Sequence, residues 1–533
     1  MLRKRISWVI ALLLVVSLLA AACSSKQTEP SATADPSSAT SGSSSVQGGN
    51  LIVAIKDDPK TFNPIYAGDS MSLTLGNVLF APLIRMNGDK KEFVLAESLT
   101  ASDDLKTFTL KLREGLAWHD GQPLTADDVV FTFNSLLDEK QHSYFRGSFV
   151  FEGTPMQVTK VDESTVQFVL SAASAAFESS LVQIYPIPKH IFEGEADLEK
   201  SEKNYSPVGS GPFKFKEYRA GEYVIVERSD TYFSDKAKLD SITFRIAKDN
   251  SSAVLALQNG ELNVLRIEPQ NYNKVKESGK SEIALFPSGA VTTIVFNQNI
   301  DVMKKQEVRQ AIVHALNKEE LIQAGFTSTE FAEPASSIFS PGTLHLKTDL
   351  KSYEYDQNKA KELLKAAGAE GLKIRYAYFN ASTPETNMAL YLQQKLQEVG
   401  LQVELIPLDA AALNKKALNK DNTDYDMSFG GYNMGFEPDA YKVLYLGDAA
   451  YNFSHYKNAE FDQWWLQAAV ETDEAKRAKL YEQIQDLSAD EVTTYPIAYG
   501  KSILAVDKQF GGADEAGADA VTVFDDFTKI YKK

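Results

Sequence analysis

The residue types that do most enzyme chemistry are few here and poorly spaced. The six histidines stand at 119, 142, 190, 314, 345 and 455. None is three or four residues from another, so no helix can present a His pair to a metal. His-Glu-x-x-His and the Walker phosphate loop are both missing. Gly209-Ser210-Gly211 lacks the outer spacing of a nucleophile elbow. Acidic pairs such as Asp103-Asp104 and Asp127-Asp128 sit beside strand and helix starts and read as turns and caps. Trp464 and Trp465 fall in a helical pattern with Phe461 and read as core. The sequence therefore predicts no catalytic residue, no metal ligand and no cofactor, and the chain reads as a binder rather than an enzyme.

One cysteine, Cys23, is present, and its setting points to modification rather than catalysis. Arg3, Lys4 and Arg5 form a positive leader. Residues 9–22 follow as an apolar run, about the length of a signal-peptide core and shorter than the roughly 20 residues that span a bilayer. The run ends Leu19-Ala20-Ala21-Ala22-Cys23, which resembles a bacterial lipobox. It departs from the usual pattern in having Ala20 where leucine is customary. The expectation is a signal peptide over 1–22 and lipidation of Cys23. A lipidated Cys23 leaves no free thiol and no disulfide. Residues 24–49 are rich in Ser, Thr, Ala, Gly and Pro, without an aromatic residue. They cannot bury enough apolar surface to fold and read as a tether, with a reach of about 25–30 Å. The folded part is then expected on the extracytoplasmic face of a cell membrane, held to the lipid bilayer through Cys23.

The chain has 533 residues, 44% hydrophobic and 24% charged, an ordinary globular balance for two to four domains. Its formal net charge of −17 argues against a nucleic-acid partner and against a surface that hugs anionic lipid.

The elements follow from periodicity. Residues 51–55 read as a buried strand, and residues 105–112 alternate as a half-buried one. Thr125 with Asp128 three places on has capping-box spacing, before a helix carrying Val129, Val130, Phe133, Leu136 and Leu137. Residues 166–170 and 223–228 are further strand candidates. Residues 307–326 put Val308, Ala311, Ile312, Ala315 and Leu316 on one face of a single helix. Asp356 caps a helix that Gly368 ends. A strand at 372–379, a helix at 384–399 and a strand at 401–408 suggest a parallel βαβ unit. Residues 461–469 and 475–487 read as two more helices.

Six segments, in order, resemble the peptide/nickel-binding group of ABC-transporter solute-binding proteins, bacterial family 5. They are Thr61-Phe62-Asn63-Pro64, Trp118-His119-Asp120-Gly121-Gln122-Pro123-Leu124-Thr125-Ala126-Asp127-Asp128-Val129, Gly209-Ser210-Gly211-Pro212-Phe213, Gly260-Glu261-Leu262-Asn263, Phe296-Asn297 with Val308-Arg309-Gln310-Ala311, and Tyr355-Asp356 onward. The resemblance implies an α/β fold, a type II periplasmic-binding-protein-like clamp of two lobes with a small domain inserted in the first. The implied division is residues 50–79, 207–299 and 503–533 for lobe I, 80–206 for the inserted domain and 300–502 for lobe II. It implies that Trp118, Asp120 and Gly121 are structural and that His119 is a loop residue.

The ligand segment implied is Gly430-Gly431-Tyr432-Asn433-Met434-Gly435-Phe436-Glu437-Pro438-Asp439, similar to the family's Gly-Trp-x-x-Asp strand. Site residues are thus expected at Gly431, Tyr432, Asn433, Met434, Gly435, Phe436, Glu437 and Asp439. Tyr432 replaces tryptophan. Gly435 stands where di- and oligopeptide binders carry the Asp that holds a peptide ammonium, and Glu437 or Asp439 could substitute. The partners implied are a peptide-like ligand and the membrane subunits of an ABC permease, with the chain a monomer. Other solutes of the fold stay open: a nickel chelate, an oligosaccharide, an opine, or a peptide signal.

Overall fold

The computed structural model describes residues 48–87, 90–182 and 184–533. The leader, Cys23 and nearly all of the tether lie outside the described residues. No helix among those described is long and apolar enough to cross a membrane.

Alternating apolar residues build one large mixed sheet. Its strands, in chain order, are β1 (Asn50–Ile55), then β6 (Phe213–Arg219), β7 (Tyr223–Arg228), β8 (Ser241–Ile246), β9 (Val264–Arg266), β10 (Ser281–Phe296), β11 (Ala332–Pro334), β12 (Lys373–Phe379), β13 (Gln402–Leu408), β14 (Met427–Asn433) and β15 (Thr494–Asp507). Strands β2 (Ala96–Ala101), β3 (Thr107–Leu112), β4 (Gln157–Lys160) and β5 (Thr165–Val169) form a separate sheet in the order β2-β3-β5-β4. The large sheet runs β6-β7-β8-β1-β9-β15-β10-β14-β12-β13, with β11 beside β15. In the first lobe β8, β1 and β9 are parallel. In β1 the inward Leu51, Val53 and Ile55 are buried while Asn50 is exposed, as period two requires.

The small sheet belongs to the inserted domain. Phe108, Leu110, Val166 and Phe168 face a helix at Ala126–Leu137, with Phe133 edge-on to Phe168 at 4.9 Å. Thr125 and Asp128 close the capping box at the start of that helix. The strand expected from residue 105 begins at Thr107 instead. Leu105 has φ of +51° in a turn whose Asp104 carboxylate accepts from Lys106 N at 3.1 Å. Asp104 thus ends the alternation by bonding its own backbone.

Gly209-Ser210-Gly211 ties this domain to lobe I. Gly211 N donates to Leu79 O at 2.9 Å, and His119 N donates to Gly209 O at 2.8 Å. Ser210 Oγ accepts from Ala81 N at 3.1 Å. A Cβ at Gly209 would collide with Leu79 O, so close backbone approach demands glycine there. His119 is a loop residue held at both ring nitrogens: Nδ1 accepts from Gly209 N at 3.3 Å and Nε2 lies 3.0 Å from Gly211 O. Burial holds its pKa below the usual histidine value. Trp118 beside it is fully buried.

In lobe II, Ile294, Phe296, Tyr376 and Phe429 face helices at Gln306–His314, Lys318–Phe326, Gln357–Ala366 and Thr383–Glu398. Phe339, Tyr445, Trp465 and Tyr481 form a second core around helices Ala459–Ala468 and Glu474–Glu491. The single helix expected over 307–326 is two. Asn317 interrupts it, accepting from Glu320 N at 3.2 Å as the cap of the second helix. The apolar period runs through the break because Ala315 and Leu316 are buried as well. The cap, not the pattern, decides the boundary. The parallel β12–β13 pair with a helix between them agrees with the expected βαβ unit.

The chain passes between the lobes along β10 and β15. Residues 281–287 pair with 501–507, the register breaks, and residues 291–295 pair with 494–499. At the break Ser288 Oγ donates to Gly500 O at 2.8 Å. Gly289 has φ of +73°, and its carbonyl accepts from Met434 N at 2.8 Å. A Cβ on Gly289 would lie 2.8 Å from Met434 O.

Gly289→Ala should therefore destabilise the protein by about 1–3 kcal/mol, the cost of holding a non-glycine residue at positive φ. Gly147, where a Cβ meets open space, is the control, and Gly147→Ala should stay within about 0.5 kcal/mol. Urea unfolding of both variants decides it; equal midpoints would show that the joint at Gly289 relaxes freely.

Candidate ligand-binding site

The expected ligand segment begins in β14 and leaves the sheet at Asn433. On one edge β14 pairs with β10 as far as Asn433 with Ala290. On the other it pairs with β12 at Met427 and Ser428 alone. No strand among the described residues pairs with 430–433 on that side. Gly431 and Asn433 are exposed and Tyr432 is half-buried. An unpaired strand edge is the surface on which an extended peptide backbone can be bound.

Tyr432 supplies a wall. Its hydroxyl donates to Ile338 O at 2.6 Å and is bonded to the Tyr445 hydroxyl. Burial and the neighbouring Tyr445 push its pKa well above the ordinary tyrosine value. With the hydroxyl spent, the ring offers apolar surface. Tyr432, Gly430, Tyr445 and Phe453 surround a cavity of about 40 Å³.

Residues 434–436 are bound into lobe II. The Met434 side chain lies in the aromatic core around Trp465, and its carbonyl accepts from Ser340 Oγ at 3.0 Å. Gly435 N donates to Tyr441 Oη at 2.7 Å, and Gly435 O accepts from Thr343 Oγ1 at 2.9 Å. Phe436 O accepts from Leu344 N at 2.9 Å. Gly435 is exposed, and a Cβ there would sit 3.5 Å from Tyr441 Oη, an ordinary contact. Space for a side chain exists, and none is present.

Both nearby carboxylates are engaged. Glu437 forms an ion pair with Arg477, and both side chains are almost fully withdrawn from solvent. Glu437 also accepts from Asp439 N at 3.2 Å and from Ser179 Oγ at 3.3 Å. Asp439 pairs with Lys442 at 2.8 Å, and its Oδ1 is buried without a partner. Ser179 belongs to the inserted domain, as does Ala175, whose N–H donates to Ala469 O at 2.9 Å. The inserted domain thus rests against lobe II beside this segment.

Lobe I has a crevice that the motifs did not reveal. A cavity of about 810 Å³ opens where β1, β8 and β9 end, with Lys56, Asp58, Met71, Lys248, Arg266 and Glu268 on its walls. Ligands of open α/β sheets bind outside the carboxyl ends of parallel strands, and three such ends meet here. The available sequence signal was charge at the strand ends, Lys56-Asp57-Asp58 after β1 and Arg266 closing β9. A cavity of about 940 Å³ lies between the inserted domain and the C-terminal segment, walled by Arg85, Arg113, Tyr232 and Asp526 among others. It shares no wall residue with the lobe I crevice or with the cavity beside Tyr432. Among the described residues no three His, Cys, Asp or Glu side chains gather as a metal cage would require.

Comparison with known proteins places this geometry. Residues 92–454 match the profile of the bacterial extracellular solute-binding proteins, family 5 Middle. The chain is 30% identical over 535 residues to the oligopeptide-binding protein AppA of Bacillus subtilis (strain 168), with 96% of each covered. It is similar to the solved ABC transporter substrate-binding protein CtaP from Listeria monocytogenes, at 45% identity and a TM-score of 0.87, over 91% of this chain and 99% of that one. AppA from Bacillus subtilis in complex with a nonapeptide is 26% identical, with a TM-score of 0.73 over 92% and 100% of the two chains. The chain belongs to the family 5 bacterial extracellular solute-binding proteins and has their two-lobed fold.

Proposed function

We propose that this chain is the substrate-binding component of an ABC importer and that its substrates are peptides held extended between the lobes. The observation that carries this reading is the unpaired edge of β14 at 430–433, beside the Tyr432 ring, on a fold whose named relatives include an oligopeptide-binding protein. Backbone hydrogen bonds on such an edge are indifferent to side-chain identity, and this suits a binder of many sequences. The binding residues of this reading are Gly431, Tyr432, Asn433 and Gly435, with Phe436 behind them. Met434, Glu437 and Asp439 support the segment from within lobe II. The domain division of this reading is 50–79, 207–288 and 501–533 for lobe I, 80–206 for the inserted domain and 289–500 for lobe II, with the crossing at the break between β10 and β15 rather than at 299 and 502. A monomer anchored through acylated Cys23 on the extracytoplasmic face hands its ligand to the permease.

Closure on a ligand changes shape without changing the ligand. X-ray scattering should show a smaller radius of gyration when a tightly bound peptide is added, and mass spectrometry should recover that peptide intact. A hydrolysed peptide, or no compaction with a peptide shown to bind, would count against the reading.

For the anchor, labelled palmitate should enter the full chain and fail to enter Cys23→Ser. Equal labelling of the two would remove lipidation at Cys23.

For the ammonium end, Gly435 offers no carboxylate, and Glu437 and Asp439 are committed to Arg477 and Lys442. N-acetylating a bound peptide should weaken binding by less than about 1.4 kcal/mol, roughly tenfold. Calorimetry on free and acetylated peptides measures it. A loss above about 3 kcal/mol, the size seen when a buried ion pair loses one partner, would mean that a carboxylate does receive the ammonium.

A further inference from the structure

Arg266 is the last residue of β9, and its side chain lines the 810 Å³ crevice of lobe I. The next residue, Ile267, donates through its N–H to Ile503 O, a short way along β15 from the joint at Gly500. The guanidinium is largely withdrawn from solvent and poorly partnered. Nη2 donates to Asp519 O at 2.7 Å. Nε is buried with no partner. Nη1, unlike Nε, is not among the buried atoms left without a partner, and the residue lines the crevice.

Its situation differs from that of the other arginines that are not exposed. Among the described residues Arg85, Arg146, Arg228, Arg309, Arg375 and Arg477 each meet a carboxylate within 4 Å. Arg266 meets none. Asp519 is the carboxylate whose charge acts on it, and that carboxylate accepts from Val521 N, Thr522 N and Thr522 Oγ1 instead. Burial lowers the arginine's pKa below its ordinary value, a sign of desolvation left uncompensated. Burying a cation without a counter-ion is costly, and a donor left buried and unpartnered, as Nε is, calls for an explanation. The other charges on the crevice do not supply the missing acceptor. Asp58 is held by Tyr218 Oη and Gly221 N, Asp69 caps a helix through Ser72, and Glu268 accepts from Gln270. Asp57, Lys56, Lys60 and Lys248 are exposed on its rim.

A planar guanidinium with free donors matches a carboxylate better than any neutral group. We propose that Arg266 is a specificity-determining anchor that receives a ligand carboxylate in the lobe I crevice. The inference rests on the peptide-binding reading and narrows it to peptides that present a free α-carboxylate or an acidic side chain at this point.

The test uses the full chain and synthetic peptides of two to nine residues without acidic side chains. Each is made with a free carboxylate, as the C-terminal amide, and as the amide with glutamate as its last residue. Calorimetry is run on the wild type, Arg266→Gln and Arg266→Lys, with thermal melts to confirm folding. Amidation should weaken binding to the wild type at least tenfold. Arg266→Gln should bind the free acid as weakly as the wild type binds the amide and lose no more than twofold on amidation. Arg266→Lys should recover part of the difference. Recovery by the glutamate amide assigns the site to acidic side chains, and lack of recovery assigns it to the α-carboxylate; either supports the anchor. Peptides that bind the wild type equally well as acid and amide would overturn the role of Arg266 while leaving the peptide reading intact. No binding by any peptide would overturn the peptide reading and the anchor together. Should Arg266→Gln fail to fold through its contact with Asp519, the wild type and Arg266→Lys decide: an amidation penalty of equal size in both overturns the proposal.

Discussion

The hydrogen-bonded pairing of β10 with β15 is the constraint on which the two-lobed arrangement depends. Residues 281–287 and 501–507 belong to the lobe I half of the sheet, and residues 291–295 and 494–499 to the lobe II half. On the proposed division the described chain crosses between lobes along these two strands, so their geometry at the break bears on how the lobes face each other. An unbroken ladder would be stiff. The lost register at 288–290, with Gly289 at positive φ, exchanges ladder bonds for Ser288 to Gly500 and Met434 to Gly289. The second of these joins the joint to the ligand segment. Met434 is one residue from the exposed Gly435.

At the lobe II ends of the two strands, buried polar groups keep them in place. Arg309 is the clearest. Its guanidinium donates to Met303 O at 2.7 Å, to Val492 O at 3.1 Å and to the Glu491 carbonyl and carboxylate. It thereby satisfies the carbonyls at the end of helix Glu474–Glu491, where Val492 turns the chain at φ of +50° into β15. Asn297, just past β10, donates to Asn422 O and Tyr425 O and so fixes the loop that leads into β14. The family's recurrent residues in this chain thus serve backbone closure. That is why they identify a fold so well and a ligand so poorly.

What was legible in the sequence follows the same division. Local signals were sound where one short interaction decides the outcome: the Thr125–Asp128 box, the Asp356 cap, the turn at Gly368. The helix over 307–326 misled because periodicity sees burial and not the Asn317 cap that cuts it. The long strands β10 and β15 carry Pro287-Ser288-Gly289 and Pro496 and Gly500, residue types that interrupt a strand pattern and that here lie at the register shifts between the two strands. The crevice of lobe I was invisible for a different reason. Its walls come from segments near 56, 71, 248 and 266, and no linear pattern links them. Only the side-by-side placement of three parallel strand ends brings them together.

The two lobes also differ in what charge they leave unspent. On lobe II the carboxylates near the ligand segment are neutralised by Arg477 and Lys442, and the position that would carry an ammonium partner is Gly435. On lobe I a guanidinium stands half-satisfied in the larger cavity. A ligand ammonium entering beside Gly435 would lose water and gain little, whereas a carboxylate entering beside Arg266 would relieve a cost already present in the protein. Unpaired strand edges bind an extended backbone in any of several registers two residues apart. With the ammonium end free and the carboxylate end held, register would be counted from the C-terminus of the ligand. Peptides of different length would then differ in where their N-termini emerge, not in how they are gripped.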